Sequence, residues 1–400
     1  MITSRTIALA TVVLVSFCSC RKEERTQQPP GEIIRVDPKK AVTKSFEDIF
    51  DKIRFLKLET SDSSLIGKVK NMFVTTEKIF VSDAQGVFVF DHNGSFLSKL
   101  KRPGRAPGEY LAFTSLSVDT ANSIFEVLDN RSQQIAIYDY NGHFIAKKDI
   151  PIVPLSFIKA NNEYFFFTGN QYVSGYPYSL VLASVEDEFV VRGQYFPVSL
   201  EKSKYMHIQF NYNFYAYQDT IRFFRPLADT IYSILNHGSV PRYSVDFGEQ
   251  KIPKSFYDNP FSDIREFYTR LFEKEYAYNI SAILETTGHL MFVYHIRGKA
   301  HQAFYNKHSK EVTVVNRWKV GFLAGKTVAV GYALPRCTYK GYFYGYIEPY
   351  DLISTLDSIR ASSPAEMWDT FLAEHMELAH IYSNAEIDDN PILLIYNLKQ

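Results

Sequence analysis

Val87–Tyr110, VFVFDHNGSFLSKLKRPGRAPGEY, decides the fold, because its first half returns 48 residues further on as Ile135–Lys147, IAIYDYNGHFIAK. Asp91 falls on Asp139, Asn93-Gly94 on Asn141-Gly142, and Phe96 on Phe144. An apolar run, an Asn-Gly turn and a second run make a β-hairpin used twice. Asn-Gly predicts a type I′ turn, since these two residues best tolerate φ > 0 at both central positions. Hairpins repeating every 40 to 50 residues or so predict the blades of a β-propeller.

Outward from that repeat, the chain reads as one domain. Its 400 residues are 46% apolar and 16% aromatic, with 28 Tyr and 32 Phe, which is ample material for packed sheets. Lys plus Arg and Asp plus Glu are each 44, so the net charge is zero. No long basic run follows the N-terminus, which argues against nucleic acid as a partner. Residues 1–19 predict a signal peptide: Arg5 precedes an apolar run, Ile7–Phe17, too short for a permanent span. Phe17-Cys18-Ser19-Cys20 resembles a lipobox, with Cys20 behind a small residue as the lipidated position. Acyl chains worth about 0.8 kcal/mol per buried CH₂ would give lasting attachment to the outer membrane. Arg21-Lys22-Glu23-Glu24 resembles the short charged signal that sends some lipoproteins to the cell surface. Residues 20–32, Pro-containing and without apolar periodicity, predict a flexible tether. Cys337 is then left alone, so no internal disulfide is expected.

Over residues 33–400 the pattern predicts an all-β, six-bladed β-propeller with two short helical insertions. The first two units are clear; later ones are looser, with a fourth inner strand expected over 207–216 and a last unit built from 327–332 and 342–347. Helices are expected at 262–276, behind a Ser262 or Asp263 cap, and from the capping box Ser363-Pro364-Ala365-Glu366 to about His380. The closing segment Ile392–Leu398 reads as a third strand with no fourth behind it, and the orphan strand Ile53–Leu58 supplies the partner. Pairing the chain ends would close the ring and remove free edges.

Four stretches carry a resemblance to the NHL-like six-bladed propeller lipoproteins of gut Gram-negative bacteria. They are Leu56-Lys57-Leu58-Glu59-Thr60, Gly104-Arg105-Ala106-Pro107-Gly108-Glu109-Tyr110, Asp229-Thr230-Ile231-Tyr232 and Asn390-Pro391-Ile392-Leu393-Leu394-Ile395-Tyr396. The resemblance implies a fold and a cell-envelope address, and no reaction.

Chemical motifs are scarce. Gly321–Thr327 resembles a phosphate-binding loop but is one residue short, no metal-binding histidine pair is spaced correctly, and no cofactor is expected. His375 and His380, five apart on a helix, point about 140° away from each other. In a propeller, the linkers between blades and the turns between second and third strands open on one face. That face would gather Arg102, Arg105, Glu109, Tyr110, Arg131, Arg225, Arg297 and Arg336, whose guanidiniums suit an anionic or polyhydroxylated ligand. The competing reading is that these arginines tie blades together through carbonyls and through Asp83 and Asp129. Two functions remain open: a non-enzymatic binding or scaffold protein for a glycan, a peptide or an outer-membrane protein complex, or a hydrolase or lyase with a metal in the channel.

Overall fold

Asp91 and Asp139 build the two repeated hairpins. Each carbonyl accepts the glycine N–H three residues on, Gly94 at 3.1 Å and Gly142 at 2.9 Å. Each carboxylate then accepts two further backbone N–H groups, from Asn93 and Ser95 and from Asn141 and His143, at 2.8 to 2.9 Å. Only the glycines have positive φ, +85° and +80°, and a bulge follows in each ladder. The expected type I′ turns are therefore type I turns closed by a left-handed Gly, and the organising residue is the aspartate, whose side chain mimics a backbone turn.

The structure, a computed structural model, describes residues 31–399 apart from 161, 171, 173, 174, 187, 202, 204, 206–211, 219, 236, 237 and 259. The readings for the signal peptide and Cys20 lie outside the described residues, as does most of the tether and the start of the expected 207–216 strand. Among the described residues the strands fall into six sheets, each built on four antiparallel strands. The first is Asn71–Val74, Ile79–Ser82, Val87–Phe90 and Phe96–Leu100, and the second Ser115–Asp119, Ile124–Asp129, Gln134–Asp139 and Phe144–Asp149. The third is Ser156–Ala160, Glu163–Phe167, Tyr178–Val185 and Phe189–Pro197; the fourth is Phe214–Tyr217, Thr220–Phe223, Thr230–Leu235 and Gly238–Asp246. Tyr278–Glu285, His289–Ile296, Lys299–Asn306 and Val312–Val320 make the fifth, and Cys337–Tyr339, Tyr342–Ile347, Ile392–Leu398 and Phe50–Lys57 the sixth.

Central strands such as Val87–Phe90 are apolar at every position because they are covered on both faces. The covering is sheet on sheet. Phe80 packs with Phe125 between the first and second sheets, Ile137 with Val181 between the second and third, and Leu182 with Phe223 between the third and fourth. Ile231 with Phe292, Trp318 with Leu394, and Leu393 with Phe88 continue the series from the fourth sheet to the fifth, the sixth and back to the first. This radial stacking is that of a β-propeller. Tyr212, at the entry to the fourth sheet, meets Phe73 of the first sheet's inner strand edge-on at 5.9 Å.

The two ends of the chain pair as the sequence indicates. Ile392–Leu398 runs antiparallel to Phe50–Lys57, with Ile392 opposite Lys57 and Leu398 opposite Phe50. Asn390, fully buried, fastens the junction. Its Oδ1 accepts from Ile66 N–H at 2.8 Å, and its Nδ2 donates to the Glu59 and Ser64 carbonyls at 2.7 and 2.9 Å. Lys57 Nζ adds an ion pair to Asp389 at 2.6 Å. Glu59 in turn accepts from Phe96 N–H at 2.9 Å, tying the junction to the first hairpin.

Three features depart from the sequence reading. Lys326–Ala329 pairs with Val312–Val320 at the edge of the fifth sheet instead of opening the sixth, whose inner strand is the three-residue Cys337–Tyr339. Glu32–Arg35 and Val42–Ser45 add parallel strands outside the fourth and fifth sheets. The second insertion holds three helices, not one: after α1 (Ile264–Glu273) come α2 (Pro349–Ser362), α3 (Ala365–Glu374) and α4 (Met376–Asn384). Ser363 ends α2 through its N–H to the Arg360 carbonyl, so the expected capping box at 363–366 does not form. At the first insertion Asp263 is the cap, accepting from Glu266 N–H at 2.9 Å.

A buried charge cluster joins the fourth and fifth sheets. The Glu285 carboxylate takes Lys307 Nζ at 2.8 Å, Tyr243 Oη at 2.7 Å and Tyr215 Oη at 3.0 Å, with Arg222 Nε 3.4 Å away. Burial alone would raise the Glu285 pKa, but Lys307, Tyr243 and Arg222 outweigh it and hold the carboxyl below its ordinary value.

Candidate functional site

The linker before the second sheet folds on itself. Pro103 pairs with Tyr110, and Tyr110, 3% exposed, donates its hydroxyl to the Gln85 carbonyl at 2.6 Å and accepts from Arg102 N–H at 3.3 Å. Burial pushes its phenol well above the ordinary range. Glu109 accepts from Ala106 N–H at 2.8 Å and fills the place where a Cβ on Gly104 would sit, which is why glycine stands there. Glu109 and Tyr110 are therefore committed to holding the linker. Arg102 and Arg105 project from it, exposed.

The other arginines differ in what they touch. Arg131 is exposed, and its backbone N–H donates to Asp129. Arg336 is exposed with its guanidinium 5.2 Å from the Tyr346 ring centre. Arg297 closes the C-terminus of α1, donating from Nε to the Phe272 carbonyl at 3.1 Å and pairing with Glu275 at 2.9 Å. The acids expected to hold arginines hold backbone instead. Asp83 accepts from Gly67, Gln85 and Gly86, and Asp129 from Leu111, Ala112, Arg131 and Ser132. These bonds also show that linkers and second-to-third-strand turns lie side by side on one face.

Arg225 lines a cavity. It follows the second strand of the fourth sheet, and the cavity, about 500 Å³, opens among the loops of the third, fourth and fifth sheets. The guanidinium stacks 4.7 Å from the Phe196 ring centre and bonds to Tyr232, while its buried Nε has no partner among the described residues. Burial lowers its pKa from the ordinary value, against the raising influence of Tyr232 and Asp229. Asp229 is fixed from three sides: its carbonyl accepts Val245 N–H at 2.8 Å, and its carboxylate takes Thr230 Oγ1 at 3.0 Å and Lys251 Nζ at 2.6 Å.

Across the cavity stands Asn170, 5% exposed. Its Oδ1 accepts from Ser179 Oγ at 3.2 Å, and its Nδ2 has no partner among the described residues. Lys254 lines the rim and makes no ion pair among the described residues. Tyr257, its phenol pushed up by burial, and Phe247 and Ile252 supply apolar wall. Sequence reasoning reached Arg225 but missed Asn170, Lys251 and Lys254. The signal was the Asp229-Thr230-Ile231-Tyr232 motif, whose first and last residues hold Lys251 and Arg225.

Among the described residues no group of three or more His, Cys, Asp or Glu is placed to hold a metal ion, and no helix is long and apolar enough to cross a membrane. Cys337 is a free thiol, pushed up to about 12 by burial.

Stacked meanders with a loop-built cavity define the class: a β-propeller with a concave site among its loops. The chain belongs to the family described as "Domain of unknown function (DUF4934)", whose model matches residues 32–397. Nothing among curated proteins matches it. Among solved structures it is similar to a candidate exported protein of Bacteroides fragilis, at 16% identity and TM-score 0.71, over 92% of this chain and 100% of that one. It is also similar to a DUF4221 family member of Bacteroides vulgatus, at 10% identity and TM-score 0.52, over 88% of this chain and 98% of that one. At these identities the likeness is one of fold.

Proposed function

We propose that the six sheets are the blades of one closed propeller, carried through Cys20 on the outer membrane and facing outward, and that its work is binding without catalysis. The apolar cluster linking the sixth sheet to the first supports closure, as does Tyr212 reaching Phe73 from the far side. The observation that carries the binding reading is the cavity lined by Arg225 and Asn170, whose buried donors Arg225 Nε and Asn170 Nδ2 have no partner among the described residues. An unpaired buried donor costs about 1–3 kcal/mol. The ligand classes are a glycan, a peptide or a segment of a neighbouring outer-membrane protein.

Glycan and peptide arrays probed with the full chain test this. Wild type should be retained on one class, and Arg225→Ala combined with Arg105→Ala should lose retention while its melting temperature stays within a few degrees. A stoichiometric Ca²⁺ or Zn²⁺ by elemental analysis, with turnover of any arrayed substrate, would instead make the protein a hydrolase or lyase.

A further inference from the structure

The cavity is more specific than a generic mouth. Four charged side chains line it: Arg225, Lys251, Lys254 and Asp229. Lys251 and Asp229 pair at 2.6 Å, while neither Arg225 nor Lys254 makes an ion pair among the described residues. Arg225 cannot turn away, because Phe196 holds its face and Tyr232 one of its donors. Asn170 Oδ1 accepts from Ser179 Oγ at 3.2 Å, and its NH₂ is left without a partner among the described residues. Both of the unsatisfied buried side-chain atoms among the described lining residues are donors. The rest of the lining mixes apolar side chains, Phe247, Ile252, Leu227 and Ile280 among them, with hydroxyl and amide groups such as Ser199, Thr230 and Asn279. Donors and positive charge at one place, and apolar wall at the others, ask for a ligand divided in the same way.

We infer that this cavity binds a small organic oxyanion with an apolar body, its head taken by Arg225 and Asn170 with Lys254 at the entrance, and its body lying against Phe247 and Ile252. About 500 Å³ is within the range of sites for single small molecules, so the body is one ring or a short chain and not an extended polymer. A guanidinium edge and an amide NH₂ accept carboxylate and phosphate oxygens alike. The inference rests on the loop face being the binding face.

Ligand-observed NMR titration of the full chain tests it with four probes: 3-phenylpropionate, phenyl phosphate, the neutral 3-phenylpropionamide, and maltotriose. At least one anion should bind ten times or more tightly than the amide, the worth of one charge-assisted hydrogen bond. The ratio of the two anions identifies the head group. Arg225→Gln should bring the anion down to the level of the amide, and Asn170→Ala should weaken it several-fold. If Arg225→Gln does not fold, Lys254→Glu decides, since that exposed residue carries no structural bond; it should weaken the anion several-fold at low salt and less at high salt. Equal binding of acid and amide, or anion binding untouched by Lys254→Glu and Arg225→Gln, overturns the inference. Binding of maltotriose without either anion overturns it and leaves the binding face standing; binding of none of the four overturns it as well, and array retention then judges the face separately.

Discussion

Asn390→Ala is the sharpest perturbation of the junction between the chain ends. The side chain is fully buried and makes three hydrogen bonds of 2.7 to 2.9 Å, to Ile66 N–H and to the Glu59 and Ser64 carbonyls. Alanine leaves all three partners in a junction too tight for bulk water. At about 1 kcal/mol for each, the loss is about 3 kcal/mol. For a chain of this size that is a fall in Tm of about 4 °C. Urea denaturation followed by tryptophan fluorescence is well suited, because both tryptophans, Trp318 and Trp368, belong to the cluster between the fifth and sixth sheets. The midpoint should fall with little change in slope. Asn384→Ala, at the exposed end of α4, should change stability by less than about 0.5 kcal/mol. A loss below about 1 kcal/mol at Asn390 would refute the reasoning, since it would mean that water or the backbone replaces those bonds.

Gly94 and Gly142 occupy the same turn position with φ of +85° and +80°, yet a Cβ on Gly94 would lie 2.3 Å from the Lys57 carbonyl oxygen while one on Gly142 would meet nothing within 4 Å. Gly142→Ala should cost about 1 kcal/mol of backbone strain, and Gly94→Ala distinctly more, as read by paired urea melts. Glu285 has a depressed pKa in the fold, so its contribution is present above the ordinary glutamate value of 4.5 and is lost as pH falls through the folded value. Wild type should therefore lose stability between pH 5 and 3 more steeply than Glu285→Gln, which should already be weaker at pH 7 because Lys307 and Arg222 are left without their anion; parallel melts across that range check both.

Much of the fold is legible in local signals. The Asn-Gly hairpins announce the blade unit, and the apolar Ile392–Leu398, lacking a following strand, points to Ile53–Leu58 across the whole chain, where the observed strand is Phe50–Lys57. The resemblance motifs at Glu59-Thr60 and at Asn390 meet in space, so what reads as two separate patterns is one hydrogen-bonded junction. What stays hidden has physical reasons. Cys337–Tyr339 is too short to show periodicity, and Glu32–Arg35 and Val42–Ser45 owe their extended form to partners more than 200 residues away. In α2 only Pro349, Leu352 and Leu356 are buried, so its apolar stripe is thin. At the site, residue type alone singles out eight groups without separating those spent on linkers and helix ends, such as Glu109 and Arg297, from Arg225. Asn170 gives no signal at all, because its importance lies in a missing partner.

The central claim is that head and tail of the chain close one ring of sheets. In the register of the sixth sheet, Asp51 stands opposite Asn397. Cysteines placed directly across an antiparallel pair are within disulfide reach. Residues 21–400 carrying Asp51→Cys, Asn397→Cys and Cys337→Ser should oxidise almost completely to the intramolecular cross-link, identified by mass spectrometry of the joined peptides, with the melting temperature raised. Two thiols that stay free, or that link only between molecules, would contradict closure.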